Sequence, residues 1–190
     1  NSKKAARYLE MAGDRASSVH SLGEARTYYE AALFALDKKN VTDKDQETYI
    51  SLTLKWAEVS QYAPSNTIRK SLIRSLELAK KLNKKIEQKK RIAEVSYWGA
   101  RFDYMQGDFI HVIPQIEKCI SWADELDDHE LLSSSLTLYG RSCLYTNEFQ
   151  SGISYLKKGI EGIRLLEKWD DVVYSMGILG LLTALTGDFK

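Results

Sequence analysis

Three short strings recur at a fixed interval of 40 residues: Gly107-Asp108-Phe109, Asn147-Glu148-Phe149 and Gly187-Asp188-Phe189. A period of this size marks a stacked-repeat architecture, and it limits the possible folds more than any other feature of the chain. Each string has the chemistry of a helix stop joined to a helix start. Gly or Asn can take the left-handed conformation that closes one helix. The acidic residue beside it can accept the orphan N–H groups of the next.

The segments around the strings repeat as well. Tyr97-Trp98-Gly99-Ala100-Arg101, Leu138-Tyr139-Gly140-Arg141 and Gly177-Ile178-Leu179-Gly180 each place small residues shortly before the turn, where two helices can cross closely. After the turn, Val112, Ile113, Ile116, Cys119, Ile120, Ala123 and Leu126 run at three-and-four spacing, the pattern of one apolar helix face. Ile153, Leu156, Ile160, Ile163 and Leu166 do the same, and earlier copies are Ala25, Tyr29, Ala32, Leu36 and Ile68, Leu72, Ser75, Leu76, Ala79. A small residue recurs at Ala32, Ser75, Cys119 and Gly159, at intervals of 43, 44 and 40.

These patterns predict helices near 3–18, 21–37, 45–62, 66–82, 85–105, 109–126, 129–145, 149–168 and 171–186. Asp127-Asp128 and Asp170-Asp171 supply start signals, Thr42 with Asp45 has the spacing of a capping box, and Pro64 opens a turn. Pro114 should delay or bend its helix, because it removes a backbone N–H. No stretch alternates at period two, so a sheet is not expected. The expected fold is all-α: one right-handed α-α superhelix over residues 1–190, with hairpins 3–37, 45–82, 85–126 and 129–168 and a partial helix 171–186. The chain opens at Asn1 without Met, and Lys190 follows a turn with no helix after it, so a longer parent protein is expected.

Composition agrees with a helical array. Only 2 of the 190 residues are Pro, hydrophobic residues make up 44% and charged residues 28%. The formal net charge of +1 supplies no global field toward nucleic acid or a membrane. The longest apolar run, residues 177–185, is too short to span a bilayer. Cys119 and Cys143 form neither a disulfide framework nor a paired metal motif, and a reducing, cytoplasmic setting suits them.

The small residue, the aromatic and the Gly-Asp-aromatic turn together resemble the tetratricopeptide repeat over about the whole chain, with 40–44 residues per repeat here rather than that family's 34. Residues 6–16 (Ala-Arg-Tyr-Leu-Glu-Met-Ala-Gly-Asp-Arg-Ala) and 24–33 (Glu-Ala-Arg-Thr-Tyr-Tyr-Glu-Ala-Ala-Leu) are similar to a more specific junction. They resemble the start of the helical repeats that follow the nucleotide-binding module of large signal-transduction ATPases, many of which carry a cyclase or DNA-binding domain. The resemblance implies a sensor and interaction surface, the regulatory arm of a larger signalling protein.

No residue set suggests catalysis or a cofactor. His20, His111 and His129 lie near predicted turns without metal-ligand spacing, and neither a phosphate-cradling loop nor a dinucleotide fingerprint occurs. The first helix of each pair would line a concave groove by analogy with tetratricopeptide arrays. Arg101 and Arg141 fall at equivalent positions on it, with Tyr97, Tyr104 and Tyr145 nearby. An Arg fork beside amphipathic rings suits a peptide or carboxylate. These five are the candidate partner-binding residues. A small-molecule ligand in the same groove is an alternative, and a deep apolar pocket around the three tyrosines would favour it.

A second candidate is the basic edge at residues 69–91, where ten Lys and Arg stand against Glu77 and Glu87. It includes Lys80, Lys81, Lys84, Lys85, Lys89 and Lys90. Such an edge could hold an acidic partner or nucleic acid. A solvated rim is the plainer reading, and the absence of interleaved aromatics weakens a strand-stacking mode. Trp56, Trp98, Trp122 and Trp169 are expected to pack between repeats.

Overall fold

Each predicted apolar stripe becomes one helix in the computed structural model, which describes residues 2–36, 42–83 and 85–187. In order these are α1 (Ser2–Ser18), α2 (Leu22–Leu36), α3 (Asp43–Val59), α4 (Asn66–Ala79), α5 (Lys85–Met105), α6 (Phe109–Glu125), α7 (His129–Thr146), α8 (Phe149–Leu165) and α9 (Trp169–Thr186). No strand occurs among the described residues. Helices α3, α4 and α8 each end three residues before the bounds expected of them, 62, 82 and 168. Their last turns tighten into i→i+3 bonds, as from Ser60 N–H to the Ala57 carbonyl (3.1 Å) and from Glu167 N–H to Arg164 (3.1 Å).

The turn chemistry is partly as expected. Gly107, Asn147 and Gly187 all take the left-handed conformation, with φ of 83°, 62° and 72°. Asp188 and Phe189 lie outside the described residues. Thr42 and Asp45 close a full capping box, and Asp128 accepts from the Leu131 N–H at 3.0 Å. Asp108 and Glu148 differ: both stand at the N-cap, yet neither side chain caps its helix. Asp108 meets His111 Nδ1 instead, at 2.7 Å. Pro114 does not delay α6, which begins at Phe109 and carries the proline inside it.

The chain divides into two compact units, Asn1–Phe102 and Asp103–Lys190, with the boundary inside α5. In the first, α1 packs on α2, α2 on α3 and α3 on α4. Its core gathers Ala32, Ile50, Leu52, Ala57, Ile68, Leu72, Val95 and Phe102, all buried. Burying each large member contributes roughly 1.5–3 kcal/mol. In the second unit α6 packs on α7, α7 on α8 and α8 on α9, and α7 also meets α9. Ile153, Leu156 and Leu182 form a buried cluster there, flanked by Leu144, Phe149, Ile160, Ile178 and Leu179.

The small-residue positions mark close helix crossings. Ala32, Ser75, Cys119 and Gly159 are all buried. A Cβ on Gly140 of α7 would lie 2.9 Å from the Gly152 carbonyl and the Leu156 nitrogen of α8. One on Gly159 of α8 would lie 2.8 Å from the Thr137 nitrogen. The backbones of α7 and α8 touch only because no side chain stands between them.

Candidate partner-binding face

In the first unit, Arg101 on α5 is only 5% exposed. Its guanidinium donates to the Tyr97 hydroxyl (3.1 Å) and to Gln61 Oε1 (2.7 Å), and lies 5.7 Å from the Trp98 ring centroid. Tyr97 is buried with it. Another polar group ties α1 to α3. Lys55 Nζ donates to Glu10 Oε1 at 2.8 Å and to both Asp14 oxygens at 2.9 Å, and the Tyr29 hydroxyl donates to Asp14 Oδ1 at 2.8 Å. Burial works to lower the Lys55 pKa, but the hydrogen bonds to Asp14 and Glu10 outweigh it and the net shift is upward. Burial and the bond to Asp14 push the Tyr29 phenol up.

In the second unit, Arg141 on α7 is 2% exposed. It donates through Nε (3.0 Å) and NH2 (2.7 Å) to Ser175 Oγ, and through NH2 to the Asp171 carboxylate and carbonyl, each at 3.0 Å. Asp171 sits in the first turn of α9, where the helix dipole favours its charge. The guanidinium also lies 4.9 Å from the Tyr174 ring centroid. Both predicted arginines are therefore engaged with the protein's own groups.

An aromatic cluster of the second unit lies beside Arg141. The Phe109 and Tyr145 rings stack at 3.8 Å, nearly parallel, and Tyr104 meets each edge-on at 5.4 and 6.1 Å. The Tyr104 and Tyr174 hydroxyls lie 3.1 Å apart. Burial, then the bond to Tyr174, pushes the Tyr104 phenol upward. Tyr104 is buried, whereas Tyr145 is 48% and Tyr174 45% exposed. This unit thus offers rigid amphipathic rings to solvent above a buried cation. Phe109, Asp171, Tyr174 and Ser175 were not anticipated as site residues. Phe109 was visible as the third residue of the repeated turn, but nothing local marked the others.

The remaining candidates are distributed differently. Lys80, Lys81, Lys85 and Lys90 are exposed and Lys89 is half-buried, while Lys84 lies outside the described residues. Two arginines of the same stretch are engaged internally. Arg91 pairs with Glu87 (3.0 Å) and Glu94 (2.9 Å), and Arg74 lies over the Tyr49 ring. His20, His111 and His129 are exposed. Both cysteines are buried, and burial pushes each thiol up to about 12, away from thiolate chemistry at neutral pH. Trp56 is buried, but Trp169 opens α9 and is 57% exposed, contrary to the packing expected of it. Among the described residues, no group of three or more His, Cys, Asp or Glu is placed to hold a metal, and no helix is long and apolar enough to cross a membrane.

No family model matches the chain, and no curated protein is significantly similar to it. Among solved structures, it is similar to the apo form of RapI, with a TM-score of 0.73 over 97% of this chain at 13% sequence identity. At that identity the likeness establishes the fold, a helical repeat array. The chain spans 65% of the length of the RapI chain.

Proposed function

We propose that the chain is a non-catalytic protein-interaction module whose partner rests on the exposed aromatic face of the second unit. The observation carrying this reading is the cluster of Tyr104, Phe109, Tyr145 and Tyr174, with two of its rings about half exposed. Tyr is a preferred anchor in protein interfaces, because a large amphipathic ring is immobilised at little entropic cost. Arg141 serves the face from beneath, by tying α7 to α9 through Asp171 and Ser175. The helical-repeat fold supports the same reading, since such arrays present side chains from successive first helices along one surface.

At a finer level, the module is the regulatory arm of a larger cytoplasmic signalling ATPase or cyclase. The resemblance of residues 6–16 and 24–33 to the repeats of such proteins supports this. The test is affinity capture from a cell extract with the wild-type chain and with Tyr145→Ser/Tyr174→Ser, circular dichroism confirming equal helicity. The proposal expects a specifically retained protein that the double variant loses. Equal retention by both chains overturns it.

A further inference from the structure

The tyrosine face carries hydrogen-bond donors with nothing to receive them. The Tyr104 and Tyr174 hydroxyls share one bond, at 3.1 Å, so the pair keeps one O–H unused. Tyr104 is 6% and Tyr174 45% exposed. The buried hydroxyl has the greater need of a partner, so Tyr104 donates and the Tyr174 O–H is left on the solvent side. The Tyr145 hydroxyl, on a ring 48% exposed, makes no hydrogen bond among the described residues. Beneath them Arg141 commits Nε and NH2 to Ser175 and Asp171, and NH1 has no acceptor among the described residues. NH1 does not belong to the buried polar atoms left without a partner, so solvent reaches it.

Charge and shape narrow what can answer these donors. The Arg141–Asp171 pair, at 3.0 Å, is neutral as a unit, and the arginine side chain is 3% exposed. A second carboxylate brought to NH1 would add an excess negative charge to a nearly buried pair, which is costly. A backbone carbonyl supplies the same lone pairs without charge. The rest of the surface is aromatic: Phe109 stacks on Tyr145 at 3.8 Å and Tyr104 meets it edge-on at 6.1 Å, which holds the exposed ring in place. An ordinary peptide brings an N–H for nearly every carbonyl, and neither an aromatic ring nor a guanidinium accepts one well. Proline brings a carbonyl and an apolar ring without an N–H.

We propose that the tyrosine face takes a proline-rich segment in the polyproline II conformation. Its carbonyls accept from the Tyr145 and Tyr174 hydroxyls, and its pyrrolidine rings lie on the exposed aromatic surface. Aromatic-lined surfaces are a recurrent seat for such segments, because polyproline II is already ordered before it binds. The proposal rests on the partner-binding reading of this face and narrows the partner to one class of segment.

The test titrates a blocked oligoproline of about eight residues into the whole chain and follows its backbone amide NMR signals. A blocked Glu-Ser peptide of the same length supplies carboxylates, and a blocked Gly-Ser peptide supplies carbonyls together with N–H groups. Saturable shifts centred on residues 104, 145 and 174 are expected with oligoproline and not with the other two. Tyr145→Phe, which removes the hydroxyl and keeps the ring, should weaken oligoproline by about fivefold. Tyr145→Ser should abolish saturable binding, and the exposure of this side chain lets both variants fold. No saturable binding of oligoproline, equal or tighter binding of either control peptide, or full binding by both variants overturns the proposal. The broader reading is decided separately by the capture experiment. A protein held by the wild-type chain and lost with Tyr145→Ser/Tyr174→Ser, in the absence of oligoproline binding, would mean a partner segment of other chemistry.

Discussion

At the scale of single residues, the second unit depends most on Arg141. A guanidinium that is 2% exposed is tolerated because it meets a carboxylate, a carbonyl and a hydroxyl. Arg141→Met leaves Asp171 and Ser175 facing each other without a cation, and should destabilise the protein by about 3 kcal/mol in urea denaturation. Arg141→Lys should recover only part of this, because one ammonium cannot reproduce the planar fork. A loss below roughly 0.5 kcal/mol with Met would contradict the account. Asp45 gives a pH signature. Hydrogen bonds from Lys3 and Thr42 hold its carboxyl at about 2 instead of the ordinary 3.8. A depressed folded-state pKa contributes stability above the unfolded value and loses it as the pH falls through the folded one. The difference in Tm between wild type and Asp45→Asn should therefore be full above pH 4 and vanish as the pH approaches 2. A difference constant across that window would contradict the assignment. Of these interactions only the Thr42–Asp45 box was legible in the sequence, because it is local. Arg141 and Asp171 are 30 residues apart, and Lys55 is 41 from Asp14. Pairings at that separation are set by which helices become neighbours, and each partner alone looks like surface charge.

At the scale of helices, glycine has opposite meanings at repeat-equivalent positions. Gly140 lies against α8, and an added Cβ would stand 2.6 Å from Leu156 Cγ as well as against backbone. Gly140→Ala should thus cost about 1–3 kcal/mol through overpacking. Gly180 faces open space, so Gly180→Ala should stabilise α9 by up to about 1 kcal/mol through helix propensity alone. Thermal denaturation of the two variants checks both signs, and destabilisation by Gly180→Ala would refute the open face. The helices themselves were legible because three-and-four apolar spacing and left-handed turn residues are carried by adjacent positions. Their ends were less so. The chain continues past α3 and α8 through a tightened last turn at Ser60 and at Glu167, and the Asp170-Asp171 start signal proves to be the second and third residues of α9. The acidic residues of the repeated turns were misassigned as caps for a related reason. Their identity suits the role, but at φ near −90° and ψ near 55° neither Asp108 nor Glu148 bonds its own helix.

At the scale of the whole molecule, the repeat period predicted an all-α array, and the likeness to RapI over 97% of the chain carries the same architecture. The period was informative because stacking is a property of every repeat. The candidate face was less legible, since a repeat pattern shows which positions are equivalent but not which are filled. Arg101 and Arg141 are equivalent in sequence, yet one meets Gln61 and Tyr97 and the other Asp171 and Ser175. The most direct test of the central claim is site-specific photo-crosslinking in cells, with a benzophenone amino acid at position 145 and a control at the exposed Lys158 of α8. The account predicts a discrete adduct with another protein from position 145 that is absent from position 158 and lost with Tyr174→Ser. The same adducts from both positions, or none from position 145, would contradict it.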